Sequence, residues 1–189
     1  MVTALREIYQ IKVQLMDIRP PIWRRCLLSS TSSLKDFHEI LQVVMGWENY
    51  HLHLFVVNDT RYGEIDPEFA NEDDWDDESA VKLKDIFRSV GDSMLYQYDF
   101  GDGWQHKITL EKILPFNTDQ VLPQCIKGKR HCPPEDVGGT WGYDNMIEIL
   151  SDPSHPEYRS MKEWVGENFE PEHFSVSEVN TMLAELRRE

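Results

Sequence analysis

Two runs of strict alternation flank a glycine-rich turn between residues 94 and 110, and they restrict the fold more than any other feature. Met94, Tyr96, Tyr98 and Phe100 alternate with Leu95, Gln97 and Asp99. Beyond Gly101-Asp102-Gly103, Trp104, His106, Ile108 and Leu110 alternate with Gln105, Lys107, Thr109 and Glu111. A period of two marks a half-buried strand, so the stretch is expected to be a β-hairpin with an aromatic inner face. A two-residue Asp102-Gly103 turn sets Asp99 opposite His106 but lays an aromatic face beside a charged one. A three-residue loop aligns both apolar faces, pairs Tyr98 with His106 and gives Gly103 a left-handed position. Burial favours the second register and leaves Asp99 on the outer face, open to Lys107 or an arginine.

The same periodicity places a strand on Tyr9, Ile11, Val13 and Leu15, broken by Arg19-Pro20-Pro21, and a second over residues 22–28. Ser33 is a cap for a helix over 34–45, with Leu34, Phe37, Leu41, Val44 and Met45 on one face and Gly46 closing it. Residues 51–57 are apolar on both faces, as in an interior strand. A short helix follows over 85–90. Residues 115–140 are irregular, helices are expected at 143–150 and 158–165, and Ser175 to Glu178 forms a capping box for a last helix toward Arg187. Strands, helix, strands and then helices indicate an α+β fold: one compact domain over 1–189, with a mainly antiparallel or mixed sheet carrying short helices.

With 40% hydrophobic residues and six tryptophans, the chain can build a core. Its formal charge of −15, from 34 acidic against 19 basic residues, opposes direct binding of duplex DNA. Nine carboxylates and no base lie between Glu64 and Glu78. Their spacing lacks the central glycine and closing glutamate of a helix–loop–helix calcium loop, so they read as a solvated, mobile segment. Arg6 and Glu7 interrupt the N-terminal apolar residues, and no run suits a membrane helix, which points to a cytoplasmic protein. Three cysteines, an odd number, indicate free thiols.

Two candidate sites emerge. His51 and His53, at i and i+2 on a strand, share a face roughly 7 Å apart. With His106 and Cys132 they form a possible zinc or other divalent-metal set, although Phe55 and Val57 on the same face suit an ordinary half-buried strand and nothing demands a cofactor. A cleft is expected where the hairpin (Asp99, Asp102, Trp104) meets the loop at 132–139 (Glu135, Asp136). Arg24 and Arg25 adjoin it, on opposite faces of their strand, and one of them is expected to pair with a carboxylate such as Asp99 or Glu135. Gly138-Gly139-Thr140 reads as a turn and helix cap rather than a phosphate loop.

Several motifs occur in a fixed order: Arg19-Pro20-Pro21-Ile22-Trp23-Arg24-Arg25; His51-Leu52-His53; Tyr98-Asp99-Phe100-Gly101-Asp102 with Trp104 and His106; Cys132-Pro133-Pro134-Glu135-Asp136-Val137-Gly138-Gly139; Trp141-Gly142-Tyr143; and Asn168-Phe169-Glu170-Pro171-Glu172-His173-Phe174. Together they resemble the plasmid Orf-three-like family, named from an open reading frame on a Ri plasmid and also labelled as TnpR-type passengers of insertion elements. The resemblance implies a compact α+β domain, cytoplasmic, prokaryotic and associated with mobile elements. It transfers no activity and no catalytic residues. The resolvase hint in the label has no counterpart here, because neither a serine nor a tyrosine recombinase constellation is present. The sequence therefore suggests a non-enzymatic binding or adaptor domain acting on a protein partner or small ligand. The alternative is a metal-dependent or thiol hydrolase using His51, His53, His106 and Cys132.

Overall fold

The alternating segments become one eight-stranded sheet with a dry inner face. The computed structural model describes residues 6–65 and 75–186. Its strands are β1 (Glu7–Leu15), β2 (Trp23–Ser29), β3 (His53–Val57), β4 (Thr60–Gly63), β5 (Asp76–Asp77), β6 (Ser93–Tyr98), β7 (Trp104–Pro115) and β8 (Gln124–Lys129). Its helices are α1 (Leu34–Met45), α2 (Leu83–Ile86), α3 (Gly139–Ser151), α4 (Tyr158–Val165) and α5 (Val176–Leu186). The strand order is β5-β4-β3-β6-β7-β1-β2-β8, antiparallel throughout except for the parallel β4–β5 pair. The fold is thus α+β, with a mixed, mainly antiparallel sheet.

Ile11, Val13 and Leu15 of β1, Tyr96 and Tyr98 of β6, and Trp104, Ile108 and Leu110 of β7 are buried, while Gln105 and Lys107 between them are exposed. Helix α1 lies over the inner face. Ser33 accepts the Asp36 N–H and Asp36 accepts the Ser33 N–H, a reciprocal box that satisfies two orphan donors. Gly46 ends the helix in the left-handed region at φ 90°. Leu34, Phe37 and Leu41 are fully buried, each worth about 1.5–3 kcal/mol over exposure.

The hairpin register differs from the expected one. Tyr98 pairs with Trp104 and Tyr96 with His106, leaving a five-residue loop over 99–103. Asp99 is the cause. It takes a left-handed backbone at φ 55°, and its Oδ1 accepts the N–H groups of Gly101 (2.8 Å) and Asp102 (3.2 Å). A side chain that satisfies two loop donors lets the chain turn earlier than face matching alone requires. Because the shift is two residues, Tyr98, Trp104 and His106 still face inward. Gly103 has the expected positive φ, 70°.

Three further expectations change. Residues 124–129, inside the stretch read as irregular, form the edge strand β8, and a register shift opposite Arg25 and Cys26 breaks its alternation. Of the acidic segment expected to be mobile, residues 66–74 lie outside the described residues, but its C-terminal end is built into the fold. The Trp75 indole donates to the Glu64 carbonyl, Asp76 and Asp77 pair with Tyr62 and Gly63, and Glu78 is buried. The short helix expected at 85–90 sits earlier, at α2, and Asp92 Oδ2 accepts the N–H groups of Arg88 and Ser89 beyond it.

Candidate functional site

The aspartate that forces the hairpin turn also builds the site. With Oδ1 held by the loop amides, Asp99 directs Oδ2 toward His51, 3.7 Å from Nε2. Two more carboxylates reach the same nitrogen from residues 135 and 136: Asp136 Oδ1 at 3.2 Å and Glu135 Oε2 at 3.7 Å. The ligand atoms of His51, Asp99 and Asp136 all lie within 4.8 Å of one another. Asp99 is buried, His51 half-buried and Asp136 exposed, so the cluster opens to solvent on one side.

Tyr98 fixes the inner wall. Its hydroxyl accepts the Tyr50 N–H at 3.1 Å and donates to Glu135 Oε1 at 3.0 Å, and burial beside that carboxylate pushes its phenol up. Glu135 Oε1 also accepts the Glu48 N–H at 2.9 Å. The other oxygen, Oε2, and His51 Nε2 are buried without hydrogen-bond partners. Trp47 stacks on Tyr98 with ring centres 4.8 Å apart, and its indole donates to the Pro133 carbonyl. Asp102 then accepts the Gly138 N–H at 3.1 Å, tying the hairpin loop to the start of α3.

The two residue sets suggested by the sequence are therefore recombined: His51 from the histidine set meets Asp99, Glu135 and Asp136 from the cleft set. His53 does not join the carboxylates at His51, although both line one cleft, because β3 begins only at His53 and His51 lies in the preceding loop. The His53 ring stacks on that of His38 and its Nε2 lies 2.7 Å from Glu78 Oε2. His106 is fully buried, with Nδ1 3.3 Å from the Tyr96 carbonyl, and burial lowers its pKa to about 3. Cys132 is buried too, and desolvation pushes its thiol up. Trp104 is a core residue.

One of the two arginines pairs with a carboxylate as expected, but the partner is Glu111 rather than Asp99 or Glu135. Arg24 turns inward and donates to the carbonyls of Val44, Trp23 and Lys129, over the ring of Phe174. Arg25, on the outer face, makes a two-pronged contact with Glu111. Among the described residues no Lys or Arg pairs with Asp99, Glu135 or Asp136.

Beside His51 lies a polar cleft of about 290 Å³, lined by Lys35, His38, Asn49, Tyr50, His53, Glu64, Trp75 and Glu78 among others. Its floor is a network that sequence reasoning missed. His38 lies 2.8 Å from both Tyr96 Oη and Asn49 Oδ1, and Gln42 also donates to Tyr96 Oη. His38 and Gln42, four residues apart on the apolar face of α1, are the sequence signal that could have found it.

A single mixed sheet, helices on one face and a carboxylate–imidazole cluster at its end define a compact α+β domain with a surface site. Residues 7–178 match the family described as plasmid pRiA4b ORF-3-like protein, and the chain belongs to that family. It is 36% identical over 181 residues to "Uncharacterized protein y4hQ" of Sinorhizobium fredii, covering 95% of this chain and 92% of the relative. It is also similar to the crystal structure of a protein of unknown function, MM3350, from Methanosarcina mazei Go1. There the TM-score is 0.83 at 38% identity, over 92% of this chain and 98% of the other. Among the described residues no helix is long and apolar enough to cross a membrane.

Proposed function

We propose that this domain is a binding protein that takes a divalent cation at His51, Asp99, Glu135 and Asp136 and engages a small ligand or protein partner through it. One observation carries the reading: three carboxylates converge on one imidazole nitrogen, at 3.2–3.7 Å, with no Lys or Arg among the described residues paired to them. Like charges held this close favour an added cation, and the donors of one nitrogen and several oxygens suit Mn²⁺ or Fe²⁺ better than a thiolate-seeking metal. Glu135 Oε2 and His51 Nε2, buried without partners, fit the same role.

The adjoining cleft favours a second reading, a metal-dependent hydrolase. A cation at His51 would polarise a substrate held between Lys35 and Tyr50 and acidify a bound water. The thiol version gains no support, since Cys132 is buried with its thiol pushed up.

Direct binding to duplex DNA is not part of the proposal. Arg24 is consumed by backbone carbonyls and Arg130 by Glu172 and the Pro20 carbonyl, which leaves fewer cations for phosphates in a chain whose formal charge is −15. Salt-sensitive, sub-micromolar affinity for plain duplex would contradict this.

The test is calorimetric titration of untagged, chelator-treated protein with Mn²⁺, Zn²⁺ and Ca²⁺. One saturable site that weakens at least about tenfold in His51→Ala and Asp136→Asn is the expected result. Saturable binding of none of the three, or binding indifferent to both substitutions, defeats the proposal.

A further inference from the structure

All three cysteines of the chain gather around one buried guanidinium. Arg24 feels the charge of Cys26, Cys125 and Cys132 alike, yet the three are not equivalent. Cys26 on β2 and Cys125 on β8 are direct partners across two antiparallel strands. The backbone shows which kind of partners they are. The Cys125 N–H donates to Asn180 Oδ1 and its carbonyl accepts from Asn180 Nδ2, both at 2.8 Å, so its peptide groups point away from β2 toward α5. The pair therefore occupies a non-hydrogen-bonded position, where Cα atoms are about 4.5 Å apart and side chains approach most closely. That spacing falls within the range of about 4.4–6.8 Å spanned by disulfides. Both side chains are buried, and the Cys125 thiol lies 3.7 Å from the Lys127 carbonyl.

From this geometry we infer that Cys26 and Cys125 form an oxidisable dithiol that closes to a cross-strand disulfide on reaction with a small hydroperoxide. Cys125 is the attacking sulfur, because it lies on the edge strand β8 while Cys26 is on the interior strand β2, and the neighbouring Cys26 and Arg24 favour its thiolate. Its thiolate attacks one peroxide oxygen and the O–O bond breaks. The other oxygen leaves as water or an alcohol with the thiol's proton, and Cys125 becomes a sulfenic acid. The Cys26 sulfur then attacks Cys125 Sγ, and hydroxide departs with the Cys26 proton as water. Two electrons pass from the sulfurs to the peroxide. Cys132, outside the strand pair and with its thiol pushed up by burial, takes no part.

The experiment treats native, reduced protein with hydrogen peroxide, blocks the remaining thiols by alkylation, and maps peptides without reduction. The expected result is a monomer lighter by about 2 Da before alkylation, with residues 26 and 125 joined and Cys132 alkylated. Cys132→Ser retains the cross-link, while Cys26→Ser stops at a Cys125 sulfenic acid that a 1,3-dione captures. Cross-links to Cys132, dimers alone, or three intact thiols under conditions that oxidise the urea-unfolded chain overturn the inference. Mapping of the unsubstituted protein decides the matter even where a serine variant does not fold.

Discussion

His38 and His53 stack their imidazole rings 3.4 Å apart, with the planes 4° from parallel. Burial and the neighbouring His53 lower the pKa of His38 to about 3, and burial lowers that of His106 to about 3 as well. Both folded values lie below the ordinary 6.5, so the unfolded chain binds more protons between those limits. The stability these histidines confer is complete above pH 6.5 and declines as pH falls toward 3. Urea denaturation at pH 7.5, 6 and 5 is expected to lose roughly 1–3 kcal/mol per pH unit below about pH 6. A flat profile over that range contradicts neutral burial of the pair.

Asp99 serves the turn with one oxygen and the cluster with the other, and two substitutions separate these duties. Asp99→Asn keeps an acceptor for the Gly101 and Asp102 amides and tolerates the left-handed backbone, so stability is expected to change by less than about 1 kcal/mol. It removes a negative charge from beside His51, so Mn²⁺ affinity should fall about tenfold. Asp99→Ala loses both functions and should also destabilise by about 1–3 kcal/mol. Equal metal affinity in Asp99→Asn and the unsubstituted protein argues against a role for this carboxylate in the cluster.

Adjacent arginines are expected to differ sharply. Arg24→Met strips the donors from three backbone carbonyls, that of Val44 buried and the other two part-buried, and should cost about 3 kcal/mol or more, or prevent folding. Arg25→Met breaks a partly exposed pair with Glu111 and should cost less than about 1 kcal/mol. Chemical denaturation of the two variants measures the contrast, and similar losses would show that the outer pair matters more than its exposure suggests.

A methyl group at Gly142 would stand 1.8 Å from the Val137 carbonyl oxygen, whereas one at Gly103 meets nothing within 4 Å. Gly142→Ala therefore requires the turn entering α3 to move and should cost about 3 kcal/mol or more. Gly103→Ala meets only its positive φ, worth about 1–2 kcal/mol. Thermal melts should order the two variants that way.

Much of the scaffold was legible because its signals are local. The alternation of β1, β6 and β7, the Ser33 and Gly46 ends of α1 and the bounds of α4 depend on neighbours a few residues away. The hairpin register was missed because it turns on what the Asp99 side chain does with two amides, which alternation does not encode. Edge strand β8 was missed because its register shift breaks the period. At the site, Asp99, Glu135 and Asp136 were legible as neighbours where the hairpin meets the 132–139 loop, and His51 as a candidate residue. Their meeting was not, because it depends on how the irregular residues around Pro133 dock on Trp47. His53 and His106 looked like ligands only because residue type and strand parity cannot reveal Glu78 or the Trp47 ring.

The Asp102–Gly138 tie spans 36 residues, and the Tyr98–Glu135 bond 37. Closing loops of that length comes late in assembly, after the hairpin and α1 have formed from nearer contacts. The chain thus lacks its full set of oxygen donors until the segment ahead of α3 has settled. A cation there would act as a reporter that this end of the sheet has assembled, silent in any species in which the segment ahead of α3 is still detached.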